Sequence, residues 1–166
     1  MVGVAPDHVV GIRSRTDGAG HLTYGFEGCG PVADDSDALI PYIEGKRCWI
    51  NKVVFGDSSP AAIERRPDGS RQVFAAGDSN TDVEFLRDAT YKLVLNRNKK
   101  ELMCNAYNDA GDSWRVNPMF IDPKPQLASG YPCATKACFD SSGAAKPCVD
   151  ELGNAIPDQV DRVFVP

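Results

Sequence analysis

The sequence has no apolar run approaching the roughly 18 residues that a membrane-crossing helix needs, so no segment of it reads as a transmembrane span. Nor does it have an excess of positive charge: 18 Lys and Arg stand against 23 Asp and Glu, a net charge of −5. A nucleic-acid backbone or an anionic membrane therefore meets no basic field, and neither is an expected partner. Histidine is scarce, with only His8 and His21. The six cysteines include no Cys-x-x-Cys pair, which removes the ligand spacing of zinc ribbons and of redox motifs. The opening residues, Met1-Val2-Gly3-Val4-Ala5-Pro6-Asp7, contain no basic stretch, apolar stretch or small-residue cleavage site, so no targeting segment is expected there. An internal repeat is also not expected, because Gly-Asp-Ser recurs at 56, 77 and 111 in unlike surroundings.

What is present describes an ordinary globular chain. Its 166 residues are 42% hydrophobic and 25% charged, enough length to bury about two thirds of the unfolded surface. Val9 to Arg13 reads as a short strand and Leu22 to Phe26 as a second extended piece, followed by a Gly-rich loop and the acidic run Asp34 to Asp37, whose default meaning is solvated surface. From Lys46 to Phe55, Trp49, Ile50, Val53 and Val54 recur at helical spacing. Gln72 to Ala76 is a nearly continuous apolar run ending at Gly77, the pattern of a parallel strand buried on both faces. A helix follows from Asp82 to Leu86 with Asn80 or Thr81 as N-cap, then a strand from Tyr91 to Leu95, a turn at Asn96-Arg97-Asn98 and a helix from Lys99 to Tyr107. Strand, helix, strand, helix is the α/β rhythm with a parallel sheet. Beyond residue 111 the chain is rich in Pro, Gly and Ser; Phe120-Ile121 ends one last strand, and an irregular tail covers the domain. Cys48 and Cys104 fall in apolar helical patterns and read as buried thiols. Cys133 and Cys138 are candidates for a disulfide, which would imply an oxidising compartment.

One hexapeptide carries chemistry: Gly77-Asp78-Ser79-Asn80-Thr81-Asp82. Its two carboxylates lie four residues apart across a strand-to-helix turn, at the carboxyl end of a strand where open α/β sheets bind ligands. Two carboxylates and an amide suit a hard divalent cation such as Mg2+, and the backbone N–H groups at the helix start favour a phosphate. The plainer reading is a turn with a capping residue, the commonest meaning of Gly-Asp-Ser. A calcium loop is excluded, because Val83 and Ala89 stand where Gly and Glu are required.

With Val73 to Ala76 before it and Val83 to Leu86 after it, this hexapeptide resembles the fourth motif of the haloacid dehalogenase (HAD) superfamily of phosphatases. Glu44-Gly45-Lys46 at the head of an amphipathic helix resembles the third. The resemblance covers roughly residues 8 to 107 and is nearest to phosphoserine-phosphatase-like members. Gly45 to Asn51, Asn96 to Cys104 and Tyr131-Pro132-Cys133 are similar to bacterial phosphorylcholine phosphatases. It implies a Rossmannoid three-layer α/β/α fold and hydrolysis of a small phosphorylated metabolite, a phosphomonoester, through an aspartyl-phosphate. Carried over by position, Lys46 is the cation that offsets phosphoryl charge, with Lys52 as its substitute if the register differs. Asp78 is the Mg2+ ligand, Asp82 ligates or orients the metal's water shell, and Ser79 supports the turn and the substrate. The subfamily implies a periplasmic or secreted protein; without it a cytoplasmic one is equally open.

The family's nucleophile motif, Asp-x-Asp-x-Thr or Val after an apolar strand, has no match. Asp35-Ser36-Asp37-Ala38-Leu39 has the spacing, but it follows no strand and ends in Leu39. The phosphate-binding Ser/Thr motif and the cap are missing as well. The expectation is thus the carboxyl-terminal part of such a phosphatase over 1–110, with an extension over 111–166 that packs on it. Its partner would be the segment bearing the nucleophile. Two other readings are a non-catalytic remnant or metal-half subunit, and a small disulfide-containing binding module.

Overall fold

A computed structural model describes residues 3–35, 41–118 and 129–159. The chain forms two compact units, Met1–Asp68 and Gly69–Pro166.

In the first unit, strands β1 (Ser14–Thr16) and β2 (Leu22–Phe26) pair antiparallel, so the extended reading of Leu22 to Phe26 holds. Val9 to Arg13 is not a strand. Val9 and Ile12 are exposed, leaving no apolar face for a sheet to bury, and pairing begins only at Ser14. Helix α1 (Glu44–Val53) presents Gly45, Cys48, Trp49 and Asn51 to the interior. There Cys29, Cys48, Trp49 and Ala62 form a small core, and Asn51 Nδ2 donates to Ala62 O at 2.7 Å. Cys48 is not a free thiol: it is bonded to Cys29, a staple of the kind a core this small needs. Trp49 is a core residue, flanked by Lys52 Nζ at 4.8 Å and the Arg13 guanidinium at 5.5 Å.

The second unit is mixed α/β. Strands β3 (Phe74–Gly77), β4 (Tyr91–Asn96) and β5 (Trp114–Pro118) make a parallel sheet in that order, joined by helices α2 (Val83–Asp88) and α3 (Lys100–Tyr107). Two successive crossovers in the same direction place both helices on one face. Ala75, Val94, Trp114 and Val116 pack there against Val83, Leu86, Leu102 and Met103. The other face carries Phe74 and its register partner Tyr91, each 59% exposed. The expectation of a strand buried on both faces is therefore corrected: β3 alternates, and Val73 and Phe74 are exposed. The last strand expected to end at Phe120-Ile121 is represented by β5, described as far as Pro118; Phe120-Ile121 itself lies outside the described residues.

Residues 129–159 complete the core of this unit with Tyr131, Cys133, Ala137, Cys138, Cys148 and Ile156. The disulfides are Cys104–Cys133 and Cys138–Cys148, so neither the Cys133–Cys138 pairing nor the free Cys104 thiol is present. The reason is packing. Cys104 lies on the buried side of α3, where the tail lays Cys133 against it, while Cys138 opens the hairpin of β6 (Cys138–Phe139) and β7 (Ala145–Lys146), from which the chain continues to Cys148.

A short repeat also emerges. Residues 139–148 and 149–158 share Asp, Gly, Ala and Pro at equivalent positions, and each copy folds as the same turn. Asp140 Oδ1 accepts from Ser142 N and Ala144 N, and Asp150 Oδ1 from Leu152 N and Asn154 N. Gly143 and Gly153 take φ of 82° and 83°, where a side chain would be strained. Asp17, with Gly20, builds a third copy between β1 and β2. Accepted hydrogen bonds hold all three carboxyls below their ordinary range, the leading donors being His21 N–H for Asp17, the Ser142 hydroxyl for Asp140 and Asn154 N–H for Asp150.

Tyr131 ties the tail to the turn after β4: its hydroxyl donates to Asn98 Oδ1 at 3.0 Å. Burial pushes its phenol up to about 12, and burial followed by the nearness of Tyr131 does the same to Tyr107, also to about 12. The native state thus keeps two protons that an unfolded chain loses near pH 10. Their stabilisation is complete below about pH 10 and lost as pH rises toward 12. Alkaline titration followed at 295 nm is expected to show two of the five tyrosines ionising only together with loss of the far-UV circular dichroism signal. Ionisation of all five before any unfolding would contradict this burial.

Candidate functional site

The hexapeptide folds as a strand-to-helix turn built on Asp82. Gly77 ends β3 because a Cβ there would lie 2.6 Å from Asp82 Cβ. Asp82 is 4% exposed. Its Oδ2 accepts from Asp78 N at 2.8 Å, Ser79 N at 2.9 Å and the Ser79 hydroxyl at 3.2 Å. Ser79 is the N-cap of the 3-10 turn Asn80–Asp82, and it forms a reciprocal capping box with Asp82. Ser79 caps the 3-10 turn that leads into α2, whose own N-cap position is Asp82, so the cap falls on neither Asn80 nor Thr81. Asn80 instead accepts from Leu102 N at 3.2 Å, tying the turn to α3.

Asp78 is placed differently. It follows β3 directly, and its side chain is 40% exposed. Among the described residues its carboxylate accepts from one donor, Arg97 Nη1, at 2.6 Å. Arg97 follows β4, so both residues lie at the carboxyl ends of neighbouring parallel strands, where open sheets hold ligands. The turn bearing Arg97 is held independently of its side chain: Asn96 Oδ1 accepts from Asn98 N at 2.9 Å, and Asn98 takes φ of 57°. The sequence reading placed Arg97 in the turn after the strand and in the stretch resembling phosphorylcholine phosphatases, but gave it no role at the site. The available signal was a cation one residue past the strand beside the Asp-bearing one.

The structure therefore brings Asp78, Ser79 and Asp82 together in one turn. Lys46 belongs to the other unit, on the first turn of α1, and is partly buried. Lys52, its substitute, donates to Glu27 Oε1 at 3.0 Å and to Gly28 O at 2.7 Å, a structural engagement. Asp35 pairs with Arg15, and Asp37 lies outside the described residues. No group of three His, Cys, Asp or Glu able to cage a metal occurs among the described residues. With Asp82 Oδ2 already accepting three hydrogen bonds, Asp78 is the outward carboxylate of the turn. One exposed carboxylate already paired with a guanidinium does not make a metal cage by itself; a Mg2+ ion there would need its other oxygen ligands from water or substrate. No family model, curated protein or solved structure matches this chain.

Proposed function

We propose that this chain is the metal- and cation-bearing part of a Mg2+-dependent HAD-type phosphatase, acting on a small phosphomonoester such as phosphorylcholine. The carboxylate nucleophile would come from a segment not among these residues. The observation that carries the reading is Asp78 at the carboxyl end of a parallel strand, in a turn locked by Asp82. When bound, Mg2+ would supply charge neutralisation for the transferring phosphoryl group. Asp78 would hold it, and Asp82 and Ser79 would keep the Asp78 backbone in place. Among the described residues, helices cover one face of the sheet and β3 is an edge strand, which is compatible with a sheet that takes a further strand and a further layer, as the three-layer fold requires. Three disulfides support an oxidising compartment, hence a periplasmic or secreted protein.

A non-catalytic reading has one observation in its favour: both carboxylates of the turn already have partners, Asp78 in Arg97 and Asp82 in the capping box. One experiment separates the two. The 166-residue chain alone is expected to release no phosphate from phosphorylcholine, phosphoserine or p-nitrophenyl phosphate. Mixed with a chain bearing Asp-x-Asp-x-Thr on a strand and the Ser/Thr motif, it should gain Mg2+-dependent release that Asp78→Ala abolishes. Turnover by the chain alone, or restored turnover indifferent to Asp78→Ala, would overturn the proposal.

A further inference from the structure

We propose that a cavity at the amino ends of β4 and β5 binds a small zwitterion, a primary amine carrying a carboxylate. The cavity lies within the second unit and encloses about 540 Å3, a volume in the range of small-molecule sites. Asp78 lies past the carboxyl end of β3, so this position is separate from it and independent of its role.

The inner wall is cationic. Lys92 and Trp114 are register partners in β4 and β5, so their side chains leave the sheet on the same face, the one that carries Val94. The alternation of β4 calls for an apolar residue there, yet the position is held by Lys92, 8% exposed. Its Nζ donates to the Ser113 hydroxyl at 3.1 Å and lies 5.6 Å from the centre of the Trp114 ring. Arg87, from α2, adds a second cation to the lining, its Nε donating to Asn105 Oδ1 at 3.0 Å. Asp109 fixes the loop before β5, accepting from Trp114 N at 2.7 Å and from the Ser113 hydroxyl at 3.2 Å.

The mouth is acidic and apolar. Asp150, Glu151 and Leu152 come from the second copy of the clasped turn, and the first copy has Ser141 and Ser142 where this one has Glu151 and Leu152. The clasping Asp and the Gly are common to both copies, the tip differs, and the differing tip is the one that lines the cavity. Asp150 spends its carboxylate on its own turn, while Leu152 stands 85% exposed. A ligand of one charge would gain at one end of this cavity and lose at the other. A ligand with both is complemented at each: carboxylate toward Lys92 and Arg87, ammonium toward Glu151, and a short hydrocarbon between them against Trp114 and Leu152.

The test compares three probes of equal chain length, ε-aminocaproate, caproate and hexylamine, on the oxidised full chain. Binding is read from the indole N–H resonances of the two tryptophans; Trp49, buried in the core of the first unit, is the internal control. ε-Aminocaproate is expected to shift the Trp114 resonance alone, with an affinity about fivefold above that of caproate or hexylamine, as one added ion pair at an exposed mouth allows. Glu151→Gln, at an exposed position, should lower the ε-aminocaproate affinity to that of caproate. Lys92→Met should weaken ε-aminocaproate and caproate alike, and is compared only if its far-UV circular dichroism matches wild type; where it does not, Glu151→Gln decides. Caproate or hexylamine binding as tightly as ε-aminocaproate, an ε-aminocaproate affinity indifferent to Glu151→Gln, or no shift at Trp114 with millimolar ε-aminocaproate overturns the proposal.

Discussion

Replacing Cys104 and Cys133 together by alanine is expected to destabilise the second unit by about 3–4 kcal/mol. The chain-entropy estimate for a closed loop of 29 residues' separation gives that figure. For a unit of this size it corresponds to a melting temperature lower by about 15–25 °C. Packing argues that the loss is fully realised. Both sulfurs are inaccessible, and the bond anchors the stretch that contributes Tyr131, Ala137 and Ile156 to the same core as Leu102 and Met103. Without it, Tyr131 is held to the body of the unit by one hydroxyl bond to Asn98, and the turn that carries Arg97 loses its brace. Cys138–Cys148 spans only 10 residues, within a hairpin already clasped by Asp140. Its removal should cost less, and the double variants compared by urea denaturation measure the difference. A loss under 1 kcal/mol for the Cys104/Cys133 pair would mean that apolar contacts, with the Tyr131–Asn98 and Arg87–Val149 hydrogen bonds, hold the tail without the disulfide.

Where the sequence reading succeeded and where it failed has a physical pattern. The helices and strands of residues 44–107 were legible because their apolar residues repeat at the spacing that buries one face, and Gly77 and the turn at Asn98 mark the ends of two strands. Val73 and Phe74 misled because an apolar run is ambiguous between a two-faced strand and an edge strand with an uncovered side. The cysteine pairing was not legible, since six cysteines allow 15 connectivities. Partner choice is set by which face of α3 the tail reaches, a long-range fact absent from local spacing. The repeat at 139–158 was hidden because it is carried by four positions in each ten, those that a clasped turn needs, while the rest vary freely. At the site, the carboxylates were found and their difference was not. Spacing shows that Asp78 and Asp82 can meet at one turn, but which of them turns back onto the backbone depends on the absence of a Cβ at Gly77.

That difference yields the second large effect. Asp82→Ala removes the acceptor of two backbone N–H groups and one hydroxyl in a buried turn. Loss of an N-terminal cap costs about 1–2 kcal/mol, and a buried donor left without a partner about 1–3 more, so a loss of about 2–5 kcal/mol is expected. Asp82→Asn keeps one carbonyl acceptor and should lose about half of that. Asp78→Ala, which removes only an exposed ion pair with Arg97, should change stability by less than about 1 kcal/mol. Chemical denaturation of the three variants therefore separates the roles of two carboxylates four residues apart: Asp82 shapes the turn, and Asp78 does not. Gly77→Ala gives an independent check, because its new methyl would meet Asp82 Cβ at 2.6 Å and dislodge the same clasp without altering either charge. If Asp82→Ala proved as mild as Asp78→Ala, the carboxylate would not be holding the turn.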